Sequence, residues 1–138
     1  MTLTYKDFLA DTINKCIDND IEFKLLRYDN LDGASGSFDG ENSTLCSILN
    51  RDDMIELLLH ESCHMDQHIE QVDVWTNEFI QFDIFNTDLL KYSNKQYVLK
   101  AFKAWTVMEI DCDIRALEKI KKYNLDIDIP SYIQKSNC

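Results

Sequence analysis

The chain has 138 residues, of which 45% are hydrophobic and 28% charged, with only three glycines and one proline. This composition is typical of one compact globular domain and excludes a disordered tail, a collagen-like repeat or a disulfide-stapled miniprotein. The formal net charge of −11 would repel phosphate backbones and anionic lipid surfaces, so neither nucleic acid nor a membrane is an expected partner. The acidic surface could instead dock a protein partner.

The first half of the chain predicts one helix followed by short strands. Residues 4–18 alternate apolar and charged side chains at helical spacing, which indicates an amphipathic helix. Residues 21–29 are apolar and aromatic over the length of a strand. Two further strands, at 34–38 and 43–49, are expected to pair across the Asp39-Gly40-Glu41-Asn42 turn.

Three longer helices are predicted in the second half, at residues 52–71, 73–90 and 95–123. Together with the strands they predict an α+β fold, in which a small antiparallel sheet near the N-terminus packs on these helices. No linker or repeat divides the sequence, so residues 1–138 are expected to form a single domain.

The end of the third long helix and the segment after it are predicted from two residues. Asn124 can take the left-handed conformation that ends a helix. Pro130 restricts Ile129 to extended backbone, so the last residues are predicted to be extended.

The cysteine pattern and the first residues indicate the compartment. Five cysteines without CxxC spacing are typical of a reducing environment, and their positions are Cys16, Cys46, Cys63, Cys112 and Cys138. The N-terminal residues lack the basic and apolar regions of a secretory signal, and no apolar run approaches the roughly 20 residues that cross a bilayer. We therefore expect a soluble protein of the cytoplasm.

The strongest chemical signal is the sequence His60-Glu61-Ser62-Cys63-His64, an HExxH motif inside the predicted helix 52–71. On a helix the two histidines lie one turn apart on the same face and can bind one zinc ion. Glu61 is offset from them to a position where it can take a proton from the attacking water. The motif therefore predicts zinc ligands at His60 and His64 and a general base at Glu61.

A catalytic zinc site needs a third protein ligand. His68 is a poor candidate because residues 60 and 68 of a straight helix lie about 12 Å apart. Glu109 is a better one, because it falls on an apolar stripe of the last long helix, where an unpaired carboxylate would be costly to bury. The stripe consists of Val98, Phe102, Trp105, Glu109, Cys112, Ala116 and Ile120.

Four further residues of the two helices also have predicted roles or directions. Asp113, one turn later, can accept the free ring N–H of a ligand histidine and so orient it, whereas Asp111 is expected to point elsewhere on the helix. Cys63 and Cys112 are expected to pack the two helices together, although either thiolate could compete for the metal.

HExxH on one helix and E-x-x-x-D on a later one resemble the pattern of gluzincin-type zinc metallopeptidases. The segments GSFDGENSTLCSILNRDDMIELLLHESCHMDQ and WTVMEIDCDIRALEKI are similar to the minimal versions of the ImmA/IrrE and related kinds in bacterial and bacteriophage genomes, over residues 34–120. The resemblance implies a zincin-like domain that hydrolyses a peptide bond in a protein or peptide substrate, in the host cytoplasm if the gene belongs to a phage. It also implies an edge strand, which we predict at residues 43–48, that pairs with an extended substrate.

Other functions remain open on the sequence alone. A zincin-like scaffold without turnover could bind zinc and engage or inhibit a macromolecular partner, because a fold does not fix an activity. A di-iron bundle would need a second Glu-x-x-His, and the sequence has only Glu61 to His64. The chain could also be a helical domain without a metal site, but HExxH and the position of Glu109 would then both be coincidences. The donor that would stabilise an oxyanion is also unassigned, with candidates at Tyr92, Tyr97, Tyr123, His68 and Arg115.

Overall fold

The structure is a computed structural model, and it describes residues 2–26, 36–39, 44–48, 53–70 and 95–136. These residues form a mixed α+β arrangement, with four helices and a small three-stranded sheet. The helix predicted at 73–90 and turn residues 40–42 lie outside the described residues. No helix in the described ranges is long and apolar enough to cross a membrane.

The first helix, α1, spans Tyr5–Asp18 and confirms the prediction for residues 4–18. It begins where the backbone N–H of Thr4 donates a hydrogen bond to the Asp7 carboxylate at 2.7 Å, as in a capping box. Phe8, Thr12 and Cys16 are buried along its inner face. The helix therefore packs on the core through one side, as its amphipathic pattern predicts.

The sheet contains β1 (Glu22–Leu26), β2 (Gly36–Asp39) and β3 (Thr44–Ile48) in the order β1-β3-β2. β2 and β3 are antiparallel, as predicted. The prediction of a purely antiparallel sheet is wrong, because β1 pairs with β3 in parallel. Residues 43–48 are also wrongly predicted as an edge strand, since β3 lies in the centre and the edges of this sheet are β1 and β2. Periodicity fixes which face of a strand is buried, but not its neighbour or its direction.

Two long helices support the site: α2 (Met54–Glu70) and α3 (Lys95–Tyr123). Their bounds confirm the predicted helices at 52–71 and 95–123 to within two residues. Asn124 has a φ of 52°, which confirms the left-handed end predicted for α3. Both helices contribute completely buried side chains to one core, including Leu58, Leu59, Cys63, Cys112 and Ala116.

The buried face of α3 matches the predicted stripe only in its second half. Cys112, Ala116 and Ile120 are buried, whereas Phe102 is 45% exposed. Among the side chains that the structure describes in the first half of the helix, Ala104 and Met108 are buried. The inward face therefore lies to one side of the predicted stripe there, and Glu109 lies at the border of that face.

The last helix, α4 (Ile129–Ser136), corrects the prediction of an extended tail. The carboxylate of Asp128 accepts a hydrogen bond from the backbone N–H of Ser131 at 3.2 Å, and so caps the helix. Pro130 lies in the first turn, where its missing N–H has no intrahelical acceptor to lose. Tyr132 is buried against the core, so the short helix is held by packing as well as by its cap.

A buried carboxylate connects three helices behind the candidate site. Asp66 of α2 has a side chain only 7% exposed and lies 2.7 Å from both Lys15 Nζ and Lys119 Nζ. The contact with Lys15 is an ion pair without hydrogen-bond geometry at the Oδ1 atom of Asp66. Lys119 also donates to Ser62 Oγ at 3.0 Å. These contacts fix α2 relative to α1 and α3.

Candidate metal centre

The HExxH motif lies in the middle of α2, where His64 is buried and the side chain of His60 is 22% exposed. The Nε2 atoms of His60 and His64 are 3.2 Å apart. Their rings meet edge to face, with centroids 4.8 Å apart. Two ring nitrogens that face each other this closely need a cation or a proton between them. Both Nε2 atoms therefore face the same point.

Glu109 of α3 reaches the same point from the other helix. Its carboxylate oxygens lie 3.6 Å from His60 Nε2 and 3.4 Å from His64 Nε2. Ligands bound to zinc at about 2.0–2.2 Å in a tetrahedron are about 3.3–3.6 Å apart. The three side chains that the sequence predicts as ligands are thus brought together at distances that fit zinc.

The protonation of these groups supports the same interpretation. Burial lowers the pKa of His64, but the hydrogen bond that its ring donates to Glu109 and the charges of Glu61 and Glu109 outweigh it and raise this pKa to about 9. Burial raises the pKa of Glu109, but the hydrogen bond and charge of His64, with the charge of His60, lower it overall. The surroundings therefore stabilise positive charge at the point where the two rings and the carboxylate meet.

Glu61 lies about 100° around α2 from His60, toward the edge strand β2. Burial raises the pKa of its carboxyl group, as does the charge of Glu109, while the two histidines and a hydrogen bond from the Phe38 backbone N–H oppose this. The net shift is upward, which brings the carboxylate closer to the basicity that proton transfer at neutral pH requires. Glu61 therefore lies beside the predicted ligands, with a carboxyl pKa above its ordinary value.

The imidazole of His64 is oriented by Gln67, a residue that sequence reasoning missed. Nδ1 of His64 lies 2.9 Å from Gln67 Oε1. The amide nitrogen of Gln67 donates to Met108 O at 3.0 Å and to Asp111 Oδ2 at 2.7 Å, which fixes its oxygen toward the ring. Because an amide oxygen only accepts, Nδ1 keeps its proton, and Nε2 is the nitrogen that would lose its proton when a metal binds.

Asp111 is therefore part of the site, although it was predicted to point elsewhere. Its carboxylate accepts hydrogen bonds from Gln67 and, at 2.7 Å, from Arg115 Nε. The only available signal was the spacing His64-x-x-Gln67, which places the amide one turn from the imidazole. Asp113 is half-buried one turn after Glu109, and its role in orienting a histidine stays a prediction.

Cys112 contacts the other imidazole. Its Sγ atom lies 3.7 Å from His60 Nδ1 and donates a hydrogen bond to the His60 carbonyl at 3.4 Å. Cys112 and Cys63 are both completely buried in the interface of α2 and α3, as predicted for packing residues. The neighbouring Cys63 thiol and burial raise the pKa of Cys112 far above its ordinary value.

The candidate oxyanion donors His68, Tyr123 and Arg115 each contact other residues of the chain. The ring centroid of His68 is 5.4 Å from that of Phe38, so His68 stacks on the edge strand. Tyr123 donates to Asp11 at 2.6 Å, and Arg115 forms ion pairs with Glu70 and Asp111. Tyr92 and the side chain of Tyr97 lie outside the described residues.

Comparison of the chain with family models, with curated proteins and with solved structures found no match. The geometry of the site is therefore the basis for any function assigned to the chain.

Proposed function

We propose that this chain is a zinc-dependent metallopeptidase with a zincin-like domain of the minimal gluzincin type. His60, His64 and Glu109 would hold the zinc, and Glu61 would act as general base. The observation that carries the proposal is the meeting of the two Nε2 atoms and the Glu109 carboxylate at 3.2–3.6 Å, with Glu61 beside them.

The zinc ion and the residues of the chain would have separate parts in the hydrolysis. Zinc, when bound, lowers the pKa of water toward neutrality and polarises a carbonyl group. Glu61 takes the proton from the attacking water and returns it to the departing amine, a role that its raised pKa suits. Gln67 holds His64 in the tautomer that leaves Nε2 free for the metal.

An extended peptide is the substrate that the surroundings of Glu61 favour. β2 is an edge strand of the described sheet, and the Phe38 backbone N–H in this strand donates to the Glu61 carboxylate. A peptide laid along β2 would make main-chain hydrogen bonds with the strand and bring a peptide bond close to Glu61. This assignment replaces β3, which is central.

One observation favours the alternative, a zinc-binding scaffold that engages a partner without turnover. The sulfur of Cys112 belongs to the same group of potential ligands as His60, His64 and Glu109. A fourth protein ligand is typical of structural zinc sites, whereas catalytic sites leave one position open.

The test combines metal analysis with peptide hydrolysis. Purified protein is assayed for bound zinc and for cleavage of a pool of internally quenched peptides. We expect Glu61→Gln to keep its zinc and lose at least about 100-fold in cleavage rate, the usual contribution of a general base. Glu109→Ala should bind zinc more weakly than wild type, and Glu56→Gln, the same change in the first turn of α2, should behave as wild type.

Two results would oppose the proposal. Wild-type protein that carries no zinc, even after incubation with the metal, would exclude the metal centre. Wild-type protein that holds zinc but cleaves no peptide, or cleaves as well with Glu61→Gln, would exclude the peptidase and leave the scaffold.

A further inference from the structure

Cys112 lies where a fourth metal ligand would be. One potential ligand atom from each of His60, His64, Glu109 and Cys112 lies within 4.8 Å of the other three. The sulfur lies 3.7 Å from Nδ1 of His60, and the other ring nitrogen of this residue, Nε2, is the one that faces His64. A residue that only filled space between α2 and α3 would not need a metal-binding atom at this point.

We infer that the Cys112 thiolate binds the zinc as a fourth ligand and closes the site in its resting state. This inference rests on the metal site of the proposed function, but not on hydrolysis. A zinc–sulfur bond of about 2.3 Å places the sulfur about 3.6 Å from a nitrogen ligand. The largest separation between the potential ligand atoms, 4.8 Å, exceeds this value by about 1 Å.

Binding of the Cys112 sulfur to the metal needs no oxidant. The S–H bond of Cys112 breaks, its proton leaves to solvent, and the sulfur forms a bond to the metal in the position that water would otherwise take. Thiolate is a softer ligand than carboxylate and suits zinc well. The Glu109 side chain is 36% exposed, whereas Cys112 is completely buried, so the carboxylate is the more easily displaced of the two.

Cys63 provides a matched control. It is as deeply buried as Cys112 and lies next to it. It does not belong to the described group of four potential ligands. A sulfur-specific signal that depends on Cys112 and not on Cys63 would thus identify the ligand rather than the presence of a thiol nearby.

The experiment uses Co²⁺ in place of zinc on the full chain. We expect one equivalent of Co²⁺ to give visible bands of tetrahedral cobalt together with a thiolate-to-cobalt charge-transfer band in the near ultraviolet. The charge-transfer band should disappear in Cys112→Ser and persist in Cys63→Ser. The zinc dissociation constant of Cys112→Ser should rise by at least about tenfold, the lower limit for disturbing the surroundings of a metal ligand.

Three results would overturn the inference, and they differ in what they imply for the proposed function. Tetrahedral cobalt bands without the charge-transfer band would exclude the sulfur ligand and leave the proposed function intact. Loss of the charge-transfer band in Cys63→Ser but not in Cys112→Ser would show that the sulfur ligand is Cys63 and not Cys112. No Co²⁺ binding at all would remove both proposals.

A second variant keeps the test valid if Cys112→Ser does not fold. Glu109→Gln weakens the carboxylate ligand but leaves the sulfur in place. We expect this variant to bind Co²⁺ still and to retain the charge-transfer band. Co²⁺ binding without that band, or no binding, would show that the sulfur does not hold the metal.

Discussion

The Nδ1 atom of His64 lies 2.9 Å from the Oε1 atom of Gln67, and this contact decides which nitrogen of the ring faces the metal site. The amide that supplies Oε1 is held by two acceptors on α3, Met108 O and Asp111 Oδ2. The orientation of a histidine on one helix therefore depends on groups of another helix.

Replacing Gln67 by leucine should weaken metal binding without removing a ligand. Gln67→Leu deletes the acceptor for His64 Nδ1 and keeps a side chain of similar size. We expect zinc affinity to fall by about 10–100-fold, as for other groups that orient a metal ligand. Competition with a chromophoric chelator measures the change, and Gln134→Leu, at an exposed position of α4, is the control. Equal affinity of Gln67→Leu and wild type would show that the contact does not support metal binding.

The metal-free protein should lose stability as the pH rises through the pKa of His64. Burial lowers this pKa, but Glu109 and Glu61 raise it from the ordinary value of 6.5 to about 9 in the folded state. The imidazolium thus stabilises the fold fully below about pH 6.5, and this contribution disappears as the pH rises through about 9. It is on the order of 3 kcal/mol.

Urea unfolding with a chelator present checks this at pH 6 and pH 9.5. The free energy of unfolding of wild type, minus that of His64→Gln, should be larger at the lower pH, because glutamine does not titrate. A difference between the two proteins that is the same at both pH values would contradict the expectation.

Two buried tyrosines should respond differently to loss of their hydroxyl groups. Among the described residues, the Tyr132 hydroxyl has no hydrogen-bond partner although it is buried. Tyr132→Phe should therefore leave stability unchanged or raise it by up to about 1 kcal/mol. Tyr123→Phe removes a 2.6 Å hydrogen bond to Asp11 and should cost about 1–2 kcal/mol. Urea unfolding of both variants measures the difference, and an equal loss would show that Tyr132 has a partner in solution.

The cap of α4 can be tested in the same way. Asp128→Ala removes the acceptor for the Ser131 backbone N–H and should reduce the free energy of unfolding by about 1 kcal/mol. Asp126→Ala, at an exposed position just before the helix, is the matched control. If both variants unfold at the same urea concentration as wild type, the carboxylate does not stabilise the helix.

Local sequence patterns predicted the elements that carry the site. HExxH on an apolar helix, the bounds of α3 and the left-handed Asn124 all depend on interactions within a few residues. The position of Glu109 beside the two histidines was also predicted, although its side chain is 36% exposed and lies at the border of the buried face and not within it. The same reasoning failed for α4, where the restriction before Pro130 was given more weight than the capping residue Asp128 two positions earlier.

Tertiary structure decided the relationships between elements that are distant in the sequence. The parallel pairing of β1 with β3 and the edge position of β2 depend on chain direction, which no strand encodes by itself. The contacts of Gln67 with Asp111 and of Cys112 with His60 join residues 44 and 52 positions apart. Periodicity records only which side of an element avoids water, whereas the distances between donor atoms on different helices are set by how those sides pack together.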